Sequence, residues 1–168
     1  MKAKIIVGLA VAAYALITLA AAAAFVFLKP ASVHNVRFSA LSGETFSTSD
    51  LRGKVVLVNF WATYCASCVS EMPKFVEAHQ KFAARGYETV AVAVRQDDRE
   101  RVVQFATKRG LPFKVAFDGS GDAAKHFGNV RLTPTSFLID RQGRVMRRYV
   151  GEPNWIELDQ LVEKALGS

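Results

Sequence analysis

Cysteine and histidine are scarce in this sequence, which has two cysteines and three histidines among 168 residues. Cys65 and Cys68 stand two residues apart in NFWATYCASCVSEMPKF, whereas His34, His79 and His126 are scattered. A structural zinc site usually takes four ligands, often from two such cysteine pairs, so no metal site is predicted. His79 falls on the apolar stripe of a predicted helix and His126 beside a predicted helix end, which favours structural roles for both.

Dense basic tracts are also missing, although the formal net charge is +7. Residues 1–29 contribute +3 of this charge through Lys2, Lys4 and Lys29 and contain no acid. The remaining +4 is spread over the rest of the chain, without a Lys/Arg run interleaved with aromatic residues. RVMRRY is basic, but it follows a turn signal in strand-like sequence, which favours a solvated strand face. No nucleic-acid partner is therefore predicted.

Charge is absent altogether from Ile5 to Leu28, a run of 24 residues. As a helix, this run would span about 36 Å, enough to cross a hydrocarbon core of about 30 Å. A signal peptide usually has an apolar core of only about 7–15 residues, so cleavage near residues 20–24 is the alternative rather than the expectation. The sequence predicts a signal-anchor or transmembrane segment over residues 1–29, a linker over 30–35 and one domain over 36–168.

The lysines before the apolar run predict its orientation. Lys2 and Lys4 should keep the short N-terminal tail in the cytoplasm by the positive-inside rule. Everything after Pro30 would then lie outside the cytoplasm. In a bacterium that compartment is oxidising, so a cysteine pair there can form a disulfide. We therefore expect a single-pass protein of the bacterial inner membrane with its domain on the periplasmic side.

Strand and helix patterns alternate after the linker. VVLVNF and YETVAVAV are continuous apolar runs of strand length, typical of strands buried on both faces. Helical spacing of apolar residues follows Cys68 up to Gly86, and DDRERVVQFATKRG has acids at its start and basic residues at its end. FKVAFD predicts a third strand, GDAAKHFG a short helix, TSFLID with RVMRRYVG a hairpin, and residues 154–166 a closing helix. This order predicts an α/β fold with a central mixed β-sheet flanked by helices.

The position of the two cysteines favours redox chemistry over a structural role. A purely structural disulfide would close a very short loop and would remove little entropy from the unfolded chain. At a strand-to-helix junction, backbone N–H groups and the helix dipole stabilise a thiolate. We therefore expect Cys65 to be exposed at the junction and Cys68 to lie one turn into the helix, placed to attack the sulfur of Cys65.

Two motifs together resemble a known family. W-A-x-x-C-x-x-C in VLVNFWATYCASCVSEMPKF, with the T-P-T of LTPTSFLID about 65 residues further on, is similar to the thioredoxin fold. More specifically, the sequence resembles the TlpA/ResA-like, membrane-anchored thiol-disulfide oxidoreductases, and the resemblance covers residues 36–166. The apolar N-terminal segment and the extra strand-helix sequence between Gly86 and Gly128 also resemble this subgroup. The resemblance implies a thioredoxin-like fold preceded by an N-terminal transmembrane helix.

The resemblance also implies roles for individual residues. Cys65 would be the attacking thiolate and Cys68 the resolving thiol. Trp61 would shield the pair in the substrate-binding region, a role compatible with filling the core. Pro134 matches the family's cis-proline, which would face the cysteines and offer the backbone of Thr133 for strand-like pairing with a substrate.

Two positions depart from thioredoxin itself. Thioredoxin keeps a buried Asp beneath the cysteines, where this sequence has Asn59, which cannot carry a proton at neutral pH. Glu71 is the other acid available, three residues after Cys68 and on the same helix face. ResA-like proteins carry Glu at this spacing, which implies catalytic proton handling, although a first-turn acid would equally suit the helix dipole. Ala66-Ser67 between the cysteines is the second departure, and this dipeptide helps set the direction of electron flow.

Three functions are compatible with these residues. The favoured one is a reductase of protein disulfides outside the cytoplasm, such as those of apocytochrome c or of copper-site cysteines. It would need no cofactor, would work as a monomer and would be re-reduced by a membrane electron donor of the DsbD/CcdA kind. A disulfide-forming oxidant would need a strongly stabilised Cys65 thiolate, and no histidine stands beside Cys65. A copper-handling protein resembling the Sco group would need a third ligand besides the cysteines, such as His126.

Overall fold

The computed structural model describes Thr18, Val33 and residues 35–167. Residues 35–167 contain seven strands and four α-helices, and a short 3₁₀ turn (Ala83–Arg85) extends the first helix. The strands are β1 (Arg37–Ser39), β2 (Thr45–Ser47), β3 (Val55–Trp61), β4 (Tyr87–Val94), β5 (Lys114–Asp118), β6 (Thr135–Ile139) and β7 (Val145–Val150). The helices are α1 (Ala66–Phe82), α2 (Arg99–Arg109), α3 (Asp122–His126) and α4 (Trp155–Gly167).

A mixed five-stranded sheet in the order β5-β4-β3-β6-β7 forms the centre of the fold. β3 and β4 are parallel, as are β4 and β5, whereas β6 is antiparallel to both β3 and β7. Every residue of β3 and β4 is buried, as their continuous apolar sequences predict for central strands covered on both faces. The predicted α/β fold with a mixed sheet is therefore confirmed.

The two faces of the sheet carry separate hydrophobic clusters. One face is covered by α1, α2 and α4, with Trp61, Phe75 and Leu158 among the buried residues. The other is covered by α3 and by the β1–β2 hairpin, with Phe38 and Phe127 among the buried residues. Helices therefore lie on both faces, and both clusters include residues of β3, the strand that leads to the cysteines.

The ends of α1 refine the sequence prediction. The helix begins at Ala66, two residues before Cys68, because the side chain of Cys65 serves as its N-cap. Gly86 ends the 3₁₀ extension as predicted, in the left-handed conformation that glycine adopts readily (φ +95°). Single residues also mark the ends of the other helices: Asp98 caps α2, Gly110 ends it, and Asn154 Oδ1 accepts a hydrogen bond from the Glu157 N–H at the start of α4.

The predicted membrane segment over residues 1–29 lies outside the described residues, apart from Thr18. Of the predicted linker, Val33 and Asn35 are described, and the Val33 N–H donates to the Gly143 carbonyl. In the part of the chain that is described, no helix has both the length and the hydropathy needed to span a bilayer.

Candidate active site

Cys65 and Cys68 lie where β3 ends and α1 begins, and they form a disulfide. Their Cα atoms are 5.2 Å apart. Cys65 is partly exposed, whereas Cys68 is fully buried. This asymmetry agrees with the sequence prediction, since a partner protein can reach the sulfur of Cys65 but cannot reach that of Cys68.

Two groups on the first turn of α1 contact the Cys65 sulfur. The backbone N–H of Cys68 donates to Cys65 Sγ at 3.3 Å. The hydroxyl oxygen of Ser67 lies 3.5 Å from the same sulfur. A helix N-terminus also carries partial positive charge, so these contacts favour negative charge on the sulfur once the disulfide opens. The sequence marks Ser67 only as an unusual residue between the cysteines and does not predict this contact.

Asp97 holds the loop that carries Cys65. Its carboxylate is buried and accepts hydrogen bonds from the Thr63 N–H at 2.5 Å and from the Thr63 hydroxyl at 2.7 Å. Thr63 stands two residues before Cys65, and Asp97 follows the neighbouring strand β4. The sequence does not predict this contact, because two residues 34 positions apart give no local signal of it.

Trp61 is fully buried beneath the disulfide loop at the end of β3. Its ring packs against Phe105 of α2, with ring centroids 5.1 Å apart. The side chain therefore fills the core on the α2 side of the sheet, the structural role considered for it. Its part in substrate binding stays a prediction.

Three polar side chains form a buried chain that joins β3, β6 and α1. Asn59 and Ser136 face each other across the antiparallel pair β3–β6, and Asn59 Nδ2 donates to Ser136 Oγ at 3.0 Å. The same nitrogen donates to Glu71 Oε1 at 3.3 Å. All three residues are at most 1% exposed. The structure thus brings together Asn59 and Glu71, which the sequence analysis singled out, and adds Ser136.

Glu71 is a buried acid in the interior of α1. It is the sixth residue of the helix, and no acid lies in the first turn, so its interpretation as a first-turn dipole partner is wrong. Burial raises the pKa of Glu71 to about 8, opposed by the Asn59 hydrogen bond and helped by the charge of Glu152. A carboxyl group in this state can gain or lose a proton near neutral pH.

Thr133 and Pro134 precede β6 and are joined by a cis peptide bond, as the resemblance implies. The pairing of Thr135 with Phe60 places them at the same sheet edge as the cysteine loop. Pro134 is buried, and its carbonyl accepts a hydrogen bond from the Gly151 N–H at 2.8 Å. Within residues 35–167, no backbone hydrogen bond engages the N–H or the C=O of Thr133.

The described histidines have structural surroundings, as predicted. His79 is at the core edge, 3.8 Å from Glu88, and burial lowers its pKa against the opposing effect of that carboxylate. His126 Nδ1 lies 2.7 Å from the Asp122 carbonyl oxygen within α3. Among the described residues, no group of three or more His, Cys, Asp and Glu side chains could hold a metal ion.

Comparison with known proteins agrees with this geometry. The Redoxin family matches residues 29–164. The chain belongs to the Redoxin family. Within it, the chain is 36% identical over 124 residues to the thiol-disulfide oxidoreductase ResA of Bacillus thuringiensis subsp. konkukian, covering 74% of this chain and 70% of that protein. It is 34% identical over 125 residues to ResA of Geobacillus thermodenitrificans, covering 74% and 71% respectively.

Solved structures of other proteins share the fold of this chain. A thiol:disulfide interchange protein of the thioredoxin family from Chlorobium tepidum superposes with a TM-score of 0.74 at 30% identity, covering 83% of this chain and 98% of that one. A DsbF homologue from Corynebacterium diphtheriae shares the fold, with a TM-score of 0.74 at 24% identity over 81% of this chain and 87% of that one. This Redoxin family member is a ResA-like thiol-disulfide oxidoreductase with Cys65 and Cys68 joined in a disulfide.

Proposed function

We propose that the protein works as a reductase of disulfides in proteins outside the cytoplasm. The observation that carries this proposal is the unequal access to the two cysteines, with Cys65 partly exposed and Cys68 fully buried. In the reduced protein, the Cys65 thiolate attacks a substrate disulfide, forms a mixed disulfide and releases one substrate thiolate. Cys68 then attacks Cys65 and releases the second substrate thiolate. Two electrons pass to the substrate, and the Cys65–Cys68 disulfide remains.

Glu71 is the proposed proton acceptor for the second step. Only a thiolate attacks a disulfide, so the buried Cys68 thiol must lose its proton first. Glu71 lies one turn beyond Cys68 on the same helix and is the nearest acid on that face of α1. Its raised pKa, about 8, suits exchange of a proton with a thiol. The accepted proton later passes to a released thiolate, so the carboxylate is restored in each cycle.

A protein substrate fits the surface around the cysteines. Tyr64, Leu132 and Val150 are 61%, 65% and 57% exposed. All three lie at the sheet edge that carries the disulfide, because Tyr64 precedes Cys65, Leu132 precedes the cis peptide bond and Val150 pairs with Thr135. Exposed apolar side chains grouped at one edge are typical of a protein-binding surface. The unpaired backbone of Thr133 supplies a place for strand-like pairing with the substrate chain.

The proposed location rests on the N-terminal sequence. The uncharged run from Ile5 to Leu28 supports a single membrane span, with the domain on the periplasmic side of a bacterial inner membrane. Apocytochrome c or copper-site proteins are the proposed substrates there. A membrane donor of the DsbD/CcdA kind would return two electrons to Cys65–Cys68.

The reduction potential of the Cys65–Cys68 pair tests the reductase direction. We expect the pair in the full-length protein to equilibrate near the thioredoxin value of about −270 mV, well below the value of about −120 mV of a strong oxidant. Equilibration against glutathione and dithiothreitol buffers, read by thiol alkylation, gives this number. A potential near that of the strong oxidant would show that electrons flow in the opposite direction, from the substrate to this protein. Tight binding of one copper ion by the reduced protein, without thiol exchange activity, would favour the copper-handling alternative.

A further inference from the structure

Ser136 lies directly opposite Asn59 in the β3–β6 pair. Within the described residues, the side chains that hydrogen-bond the Asn59 amide are those of Ser136 and Glu71. On the other side of β3, Asn59 pairs with Ala91, which has no polar side chain. Asn59 Oδ1 is buried and has no hydrogen-bond partner among the described residues. The neighbouring side chains therefore accept hydrogen bonds from the amide nitrogen, whereas the amide oxygen has no partner among the described residues.

This arrangement bears on the proton that Glu71 carries. An amide N–H donates to an ionised carboxylate, whereas an amide C=O can accept only from a protonated carboxyl group. The direction in which the Asn59 amide points therefore decides which form of Glu71 it stabilises. In the observed orientation, one N–H points to Glu71 Oε1 at 3.3 Å and the other to Ser136 Oγ at 3.0 Å.

Reversing the amide would be costly while Ser136 is present. The NH₂ group would then occupy the place of Oδ1, where no acceptor lies among the described residues. Two buried N–H groups would lose their partners, whereas Oδ1 would gain the Ser136 O–H as a donor. The observed orientation is still favoured, because an unpaired buried N–H is less tolerated than an unpaired C=O. Without the Ser136 hydroxyl, one N–H is already unpaired in the observed orientation, so the preference for that orientation weakens.

We propose that Ser136 is a positioning residue for the proposed proton acceptor: its hydroxyl holds the Asn59 amide with an N–H towards Glu71, which favours the ionised carboxylate. This inference rests on the proposed role of Glu71. Burial favours the protonated carboxyl group of Glu71. The Ser136–Asn59 pair opposes this effect and so limits how strongly Glu71 retains its proton. Glu152, in the loop after β7, is the titratable group whose charge acts on Glu71. Cys68 lies one turn earlier on α1 but is held in the disulfide, where it does not titrate.

The titration of Glu71 measures this effect directly. In full-length protein labelled with ¹³C at the glutamate carboxyl groups, the resonance that Glu71→Gln removes identifies Glu71. We expect Ser136→Ala to raise its titration midpoint by about 0.5–1 pH unit. Ser136→Thr keeps a hydroxyl and should restore the midpoint, whereas Ser136→Val, which matches threonine in volume, should not. Thr89→Val is the matched control, because it removes a buried hydroxyl that bonds Tyr87 on β4.

The outcomes separate this inference from the proposal on which it rests. A midpoint that is the same in Ser136→Ala, Ser136→Val and the unaltered protein overturns the positioning role of Ser136. If Ser136→Ala does not fold, the comparison of Ser136→Thr with Ser136→Val decides by itself. If Glu71→Gln leaves the pH dependence of Cys68 reactivity unchanged, the proton-handling proposal fails, whatever Ser136 does to the Glu71 midpoint.

Discussion

The hydroxyl of Ser67 lies 3.5 Å from the sulfur of Cys65, within the first turn of α1. The Cys68 N–H approaches the same sulfur at 3.3 Å. Cys65 therefore has one side-chain hydroxyl and one backbone donor beside it, at the end of a helix that already favours negative charge. When the disulfide opens, both can donate to the thiolate, so the residue between the cysteines contributes to the reactivity of the pair.

Ser67→Ala tests that contribution. Losing the hydroxyl should move the pH of half-maximal Cys65 alkylation upward by about 0.4–1 unit, since a net hydrogen bond is worth about 0.5–1.5 kcal/mol. Ser70→Ala is the matched control, because Ser70 is exposed on the same helix and donates to the Ser67 carbonyl instead of to sulfur. Equal midpoints for both variants and the unaltered protein would show that Ser67 does not stabilise the thiolate.

Glu71 should make the stability of the fold depend on pH. Its pKa is about 8 in the folded protein, against an ordinary value of 4.5, so the folded state binds an extra proton between these two pH values. The free energy of unfolding should therefore fall as the pH rises from about 4.5 to about 8, by roughly 2–5 kcal/mol in total.

Glu71→Gln removes this titration, so the variant should gain stability relative to the unaltered protein as the pH rises. Denaturant unfolding of the oxidised protein at about pH 5 and pH 8 measures the difference. Glu77→Gln is the control, because Glu77 is an exposed acid on the same helix. A stability difference between Glu71→Gln and the unaltered protein that stays the same at both pH values would contradict the raised pKa.

Local sequence was enough to predict most of the fold. β3 and β4 are continuous apolar runs, because both faces of the sheet are covered. Neither face is exposed to solvent, so apolar and polar residues do not alternate along these strands. Asp98 and Gly110 mark the ends of α2 through side-chain capping and a left-handed backbone, which are properties of single residues. The start of α1 was harder to predict, since its N-cap is Cys65 and cysteine is not a usual capping residue.

The site was predicted only where its signals are local. Cys65 and Cys68 are recognisable from their spacing, and Glu71 from its helical distance to Cys68. Ser136 and Asp97 were missed because their contacts depend on how separate strands and loops are aligned. Ser136 and Asn59 are 77 positions apart in the sequence. They come together through the register of β3 and β6, which the sequence of neither strand specifies alone.

The N-terminal segment gives a prediction about location. A reporter active only outside the cytoplasm, fused after Ser168, should be active and should remain in the membrane fraction. The reason is the uncharged run of residues 5–28, preceded by Lys2 and Lys4. Lys2→Glu with Lys4→Glu should lower reporter activity by weakening the orientation signal. A soluble product that contains the whole domain would show cleavage, and an inactive reporter on the unaltered chain would show the opposite orientation.

Trapping of mixed disulfides tests whether Cys65 attacks the substrate and Cys68 resolves the product. Cys68→Ser should accumulate a stable mixed disulfide between Cys65 and a protein substrate, because no second thiol remains to resolve it. Cys65→Ser should trap almost nothing, since Cys68 is fully buried. Non-reducing gels of both variants with a disulfide-containing apocytochrome c, followed by mass spectrometry of the adduct, make the comparison. We expect an adduct through Cys65 alone. Equal trapping through Cys68, or no adduct in either variant, would show that the roles assigned to the two cysteines are wrong.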